Sequence, residues 1–303
     1  MMIREPYVAG MFYPAQPAEC LARLQDCLHQ AEQHAARRGA GSGPAAGETR
    51  RPLGGIVPHA GWVFSGAVAA EVFLEVARQA KPGTVLVLFG AVHGPCGRRA
   101  AVFTSGAWET PMGLARVEGR LAERLLSQSG LLEADPHAHE SEHSIEVQVP
   151  FVQHLLPQSA IVPIMVPPTD KAAAVGAAVG LTCRSYGVEA VFIGSTDLTH
   201  YGPSYGFAPT GVGPDGLQWA KEVNDRRMLD LILAMREREA VAEADANQNA
   251  CGAGAIAATI AACKACGAAK AELLWHTTSQ ETAAAEGGDP FDAVGYAGVV
   301  FAR

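Results

Sequence analysis

The chain has 303 residues, 49% of them hydrophobic and 33 of them glycine, which is enough apolar material for a large buried core. Its formal net charge of −8 is spread along the sequence without a Lys/Arg block, which sets aside nucleic-acid and anionic-membrane partners. The start, Met1-Met2-Ile3-Arg4-Glu5-Pro6, lacks the pattern of a secretion signal. No apolar stretch nears the roughly 18 charge-free residues of a membrane span, so a cytoplasmic protein is expected.

In chain order, residues 17–36 predict a helix with Leu21, Leu24, Cys27 and Leu28 on one face, and the Gly/Ala/Ser/Pro-rich stretch 37–51 predicts a mobile loop. From residue 53 onward, short apolar runs alternate with helical patterns. They predict strand 55–57, helix 64–79, strand 84–89, helices 120–127 and 144–155, strand 160–166, helix 171–184 and strand 190–193. Residues 217–236 have helical periodicity, 251–266 form a small-residue helix able to pack closely, and 272–276 and 294–302 read as closing strands. This alternation predicts a single α/β domain over 1–303, with a largely parallel or mixed central sheet flanked by helices.

The chemistry gathers where predicted strands end or helices begin. His59 follows one strand in Pro58-His59-Ala60-Gly61-Trp62, and His93 follows the next in Gly90-Ala91-Val92-His93-Gly94. Asp197 and His200 follow a third in Ser195-Thr196-Asp197-Leu198-Thr199-His200-Tyr201-Gly202, and Cys251 precedes Gly252 at a helix start. An open parallel sheet collects such residues at the carboxyl edge of its strands, and two imidazoles with a thiolate there would make a metal site with an open position. A lone buried histidine or cysteine is more often structural, so the weight rests on the convergence. Asp197 either caps a turn or holds His200 in one tautomer as an acid or base. In Glu142-His143-Ser144-Ile145-Glu146, Ser144 either caps a helix or the segment presents His143 to the crevice.

Seven cysteines, an odd number, predict reduced thiols rather than a disulfide framework, with no chemical role for Cys20, Cys27, Cys96 and Cys183. Cys263 and Cys266 have CxxC spacing at the end of a helical run, without the second pair that would complete a zinc site.

These ordered motifs, together with Arg4 and Ala9-Gly10-Met11-Phe12-Tyr13-Pro14 near the start, resemble the Memo family, whose bacterial and archaeal members are known as AmmeMemoRadiSam system protein B. The resemblance runs from about residue 4 to 301. Gly94 departs from it, since many members have a second histidine there, and Ala255 stands where a late proline is common. That family is similar to class III extradiol ring-cleavage dioxygenases. The resemblance implies a dioxygenase-like fold, His59, His93 and Cys251 as ligands of one metal ion, His200 as acid/base histidine, and Asp197 and His143 in the same pocket. A cysteine in place of the dioxygenase glutamate makes a softer site that suits Cu(I), Fe(II) or Zn(II), and the resemblance implies one metal ion, Fe(II) or copper ahead of zinc. The implied function is a metal-dependent oxidoreductase-like protein acting on a small molecule or peptide, with radical-SAM and AMMECR-type proteins as partners. The alternative is a non-catalytic peptide- or protein-binding module that reuses the scaffold.

Overall fold

A computed structural model describes residues 2–41, 51–95, 97–282 and 289–303. Cys96 and most of the expected loop, 42–50, lie outside them; Pro17–Gly41 is one helix, so the turn residues expected at 37–41 are helical.

The elements in order are β1 (Ile3–Arg4), α1 (Pro17–Gly41), β2 (Pro52–Val57), α2 (Trp62–Ala77), β3 (Val85–Gly90), β4 (Ala100–Val102), β5 (Ala107–Thr110), β6 (Gly113–Arg116), α3 (Gly119–Gln128) and β7 (Leu132–Ala134). A 3-10 turn (Glu146–Gln148) leads into α4 (Val149–Leu155), followed by β8 (Ala160–Met165), α5 (Ala172–Ser185), β9 (Ala190–Ser195) and β10 (His200–Tyr201). Then come α6 (Pro214–Trp219), a π-helical turn (Ala220–Asp225), α7 (Arg226–Leu233), α8 (Ala240–Asn247), α9 (Ala253–Ala265), β11 (Lys270–Thr278), α10 (Ser279–Thr282) and β12 (Ala293–Ala302). No helix among the described residues is long and apolar enough to cross a membrane.

The fold is α/β with a mixed nine-stranded sheet in the order β10-β12-β2-β9-β3-β8-β4-β7, with β11 also on β12. Its centre, β2-β9-β3-β8, is parallel, whereas β12 runs antiparallel to β2 and β4 runs antiparallel to β8. The central strands are apolar throughout because helices cover both faces. Along β3, Val87 and Phe89 turn to a core shared with α3, α5, α7 and α9, while Leu86 and Leu88 turn to one shared with α1, α2 and α4. The small residues of α5 and α9 serve a close approach. A Cβ on Gly176 would fall 1.9 Å from the Ala258 carbonyl oxygen, and one on Gly180 would fall 2.6 Å from that of Ala262.

The register of the parallel centre positions the site. Val57 pairs with Ser195, so His59 and Asp197 each stand two residues beyond the same rung. On the other side of β9, Phe89 pairs with Gly194, which brings the His93 turn to that same carboxyl edge. The predicted helix 217–236 is interrupted by the π turn, whose Asn224 and Asp225 are buried rather than solvent-facing. Asp225 Oδ1 accepts the Thr199 amide at 2.9 Å, and Asn224 Nδ2 donates to Thr199 Oγ1 at 3.1 Å. The interruption thus anchors the segment between Asp197 and His200, in keeping with the use of π turns near functional sites. The predicted helix 144–155 is likewise two pieces, a 3-10 turn and then α4.

Candidate metal centre

His59 is 2% exposed, and its tautomer follows from its neighbours. Ser195 Oγ has one proton, which it donates to the Ser144 carbonyl at 2.7 Å, so towards His59 Nδ1, 3.0 Å away, it acts as acceptor. Nδ1 therefore carries the hydrogen and Nε2 the lone pair. Gln148 Nε2 steadies this arrangement by donating to Ser195 Oγ and to the Pro58 carbonyl. Burial, then the nearby His93 and His143, lower the proton affinity of His59, so it is held as the neutral imidazole a metal requires.

His93 is fixed by Glu142. The carboxylate accepts the His93 amide at 2.9 Å and its Nδ1 hydrogen at 3.0 Å, and also the Ser144 amide at 2.8 Å. Burial opposes ionisation of Glu142, but the His93 hydrogen bond and charge and the two amides outweigh it and hold the carboxyl far below its usual range. Burial also opposes charge on His93, yet Glu142 prevails and raises its proton affinity. A carboxylate on Nδ1 turns Nε2 outward, the usual outer support of a metal-binding histidine.

His143 stacks on His93 with ring centroids 4.6 Å apart and meets His59 edge-on at 5.3 Å. Burial, then the charge of His93, lower its proton affinity. One donor atom from each of His59, His93 and His143 lies within 4.8 Å of the others. The donor set fits a metal ion: three imidazoles, two held neutral by their surroundings and two with Nδ1 occupied by a fixed partner.

Cys251, expected to complete the site, lies immediately beside His59, its Sγ 3.2 Å from Nε2, while His143 makes the third member of the three-imidazole group. The Asp197 amide donates to this sulfur at 3.3 Å, and Gly252 lets α9 begin against β9, where a Cβ would meet the Ser195 carbonyl at 2.4 Å. The expected thiolate is not favoured by the protein alone, because burial and the Asp197 charge push the Cys251 thiol up. Both outweigh the hydrogen bonds from the Asp197 amide and from Thr196, which favour the thiolate.

Asp197 and His200 are not bonded as the spacing predicts. Asp197 Oδ1 accepts the His59 amide at 2.7 Å, and His200 Nδ1 donates to the Leu198 carbonyl at 3.1 Å. The physical reason is that the segment after β9 is extended and enters β10, so residues three apart do not share a helical face. Both side chains nevertheless line one cavity of about 770 Å³ with His59, His93 and His143.

Glu142 and Ser195 stand inside the sequence motifs with no task assigned to them there, and Gln148 was not singled out. The signal available for Glu142 was its place directly before His143. Glu146, four residues on, ties down the N-terminal motif: it pairs with buried Arg4 and accepts the Tyr7 and Val8 amides and the Tyr13 hydroxyl.

The family model described as Memo-like protein matches residues 4–300. The chain belongs to the Memo family. It is 38% identical to a MEMO1 family protein of Methanothermobacter thermautotrophicus over 98% of this chain and 99% of that one. It is 36% identical to a MEMO1 family protein of Methanopyrus kandleri over 100% of both. Among solved structures, it shares its fold with an uncharacterized Escherichia coli K12 protein, JW3007, at a TM-score of 0.51 and 11% identity, over 81% of this chain and 99% of that one. Membership accounts for the ordered motifs, and the structural likeness bears on the mixed-sheet α/β fold alone.

Proposed function

We propose that this Memo-family chain is a metal-dependent oxidoreductase-like protein whose ion is held by His59, His93 and His143 at the floor of the 770 Å³ cavity. The observation that carries this reading is the approach of three imidazole donors to within 4.8 Å, with Ser195 and Glu142 fixing two of them. When bound, such an ion supplies Lewis acidity or, if iron or copper, electron transfer. The chain's own residues bind and orient it. His200, with Nδ1 donating to Leu198, keeps an Nε2 lone pair and lines the cavity, so it is placed to take a proton from a bound molecule.

A second ligand set is favoured by one distance. Donors on one ion at about 2.1 Å (N) and 2.3 Å (S) stand roughly 3.5 Å apart at a tetrahedral angle, close to the 3.2 Å between His59 Nε2 and Cys251 Sγ. Cys251 would then join His59 and His93 in a softer site, and either donor set can take Fe(II), copper or zinc.

Anaerobic titration with Fe(II), Cu(I) and Zn(II) of wild type and of the His59→Ala, His93→Ala, His143→Ala and Cys251→Ala variants separates these readings. One ion per chain, lost in the first three variants, supports the three-imidazole site. Loss in Cys251→Ala with retention in His143→Ala selects the thiolate set. A wild type that takes up none of the three metals removes the centre and leaves a non-catalytic binding module.

A further inference from the structure

We infer that Arg4 is a positioning residue for the imidazole cluster, holding in place the loop that carries Glu142 and His143; its consequence for metal binding rests on the reading of the centre given above. Residues 140–145, between the 3-10 turns His137–His139 and Glu146–Gln148, form neither helix nor strand, so their backbone carbonyls need partners from elsewhere. Arg4, 4% exposed, supplies them. Its Nε donates to the His139 carbonyl at 3.0 Å, and its Nη2 donates to the Glu142 carbonyl at 2.8 Å and the Glu140 carbonyl at 3.4 Å. Nη1 donates to the Glu5 carbonyl at 3.1 Å and to the Glu146 carboxylate. The guanidinium also lies 4.4 Å from the centre of the Trp108 ring. Only the planar fork of an arginine offers the fixed spread of donors that such a set of acceptors requires.

The grip reaches the imidazoles by three routes. The Glu142 carbonyl and the His143 amide belong to one planar peptide, so a bond to that oxygen fixes the plane from which the His143 side chain departs. The side chain of the same Glu142 accepts the His93 amide at 2.9 Å and the His93 Nδ1 hydrogen at 3.0 Å. Glu142 is therefore held at its carbonyl by Arg4 and holds His93 with its carboxylate. The third route runs through Glu146, which accepts the Tyr7 and Val8 amides and the Tyr13 hydroxyl, each at 2.9 Å. Those bonds set residues 7–13 against the loop, and Phe12 in that segment meets the His143 ring edge-on at 4.9 Å. A lysine at position 4 would keep a charge for Glu146 but gathers its donors on one nitrogen, so it would lose the spread of carbonyl bonds.

The test uses the full chain as wild type, Arg4→Lys and Leu125→Ala, the last a buried position of α3 in the other of the two cores that controls for lost stability alone. Two quantities are read. One is metal affinity, by competition with a chelator. The other, in metal-free protein, is the set of NMR signals of the His143 ring, which the neighbouring Phe12 and His93 rings displace and which are identified by their loss in His143→Ala. Arg4→Lys should weaken metal binding by about tenfold, the lower end for loss of an outer support of a ligand, and return the His143 signals towards those of free histidine. Leu125→Ala should change neither. In a Glu142→Gln background, Arg4→Lys should cost less affinity than it does alone, since the two act through one residue. A folded Arg4→Lys with wild-type affinity or wild-type His143 signals overturns the inference, as does an effect that Leu125→Ala reproduces or one that adds in full to Glu142→Gln. Should Arg4→Lys not fold, Arg4→Ala refolded with millimolar methylguanidinium restores the fork without its tether, and His143 signals that do not recover with it overturn the inference. If the wild type takes up no metal, the reading of the centre fails while the His143 signals still decide: a shift in Arg4→Lys supports Arg4 as the holder of the loop, and its absence overturns it.

Discussion

Glu142 receives both the backbone amide and the Nδ1 hydrogen of His93, at 2.9 and 3.0 Å, and so fixes the position and the tautomer of that residue together. Because Glu142 immediately precedes His143, one carboxylate links two members of the imidazole cluster through a single stretch of chain.

Glu142→Gln should therefore weaken metal binding by about 10–100-fold, the usual cost of losing an outer-shell carboxylate. In metal-free protein it should also lower the His93 pKa, since the Glu142 hydrogen bond and charge are what raise it against burial. Competition with a chelator measures the first and NMR titration of the ring protons the second. An unchanged His93 pKa would show that the carboxylate is not its partner in solution.

Cys251 should be a slow nucleophile in metal-free protein. Its thiol is pushed up by burial and by Asp197, so at pH 8 its alkylation by iodoacetamide, followed on the Cys251 peptide by mass spectrometry, should run at least about tenfold slower than that of a free cysteine. Asp197→Asn should speed it. Rapid modification of the wild type would restore the thiolate expected from the helix start.

His200→Gln should lower turnover by about 10²–10⁴-fold while one metal ion per chain is still bound. Its Nδ1 is committed to the Leu198 carbonyl and its ring lies outside the three-imidazole cluster, so binding and proton transfer should separate. Loss of the ion in this variant would make His200 a ligand.

Acid stability should report on His139, which is fully buried with Nε2 donating to the Ala101 carbonyl and Nδ1 unpartnered. Burial, then the adjacent Arg4 charge, lower its pKa from 6.5 to about 4. Between those values the unfolded chain binds the proton and the native chain does not, so stability falls as pH drops from 6.5 to 4, by up to about 3 kcal/mol from this group. Urea midpoints for wild type and His139→Gln should converge as pH falls through that window. Parallel curves would assign the acid sensitivity elsewhere.

The central strands and the histidines at their ends were legible because β2, β3, β8 and β9 are buried on both faces and so appear as unbroken apolar runs ending in glycine, proline or a polar turn. The hairpin β5–β6 was not, since its short strands mix exposed and buried positions without a clear period. The π turn was hidden by a helical periodicity that continues through it. Within the site, placement after a strand located His59, His93 and Asp197. The choice between His143 and Cys251 depends on a loop and a helix start whose approach to the sheet is set by packing, and no local pattern encodes that.

The π turn between α6 and α7 has one more consequence. Its backbone closes on the fifth residue rather than the fourth, so it carries one residue beyond what an α-helix would need there. Excising that residue would let the helix run straight, at the cost of turning each side chain after the cut by about 100°. Asp225 would then swing away from the Thr199 amide and from His276, which it now holds at 2.9 and 3.0 Å. The count of residues in this segment thus matters as much as the identity of Asn224 and Asp225, because it sets the direction from which both side chains reach Thr199.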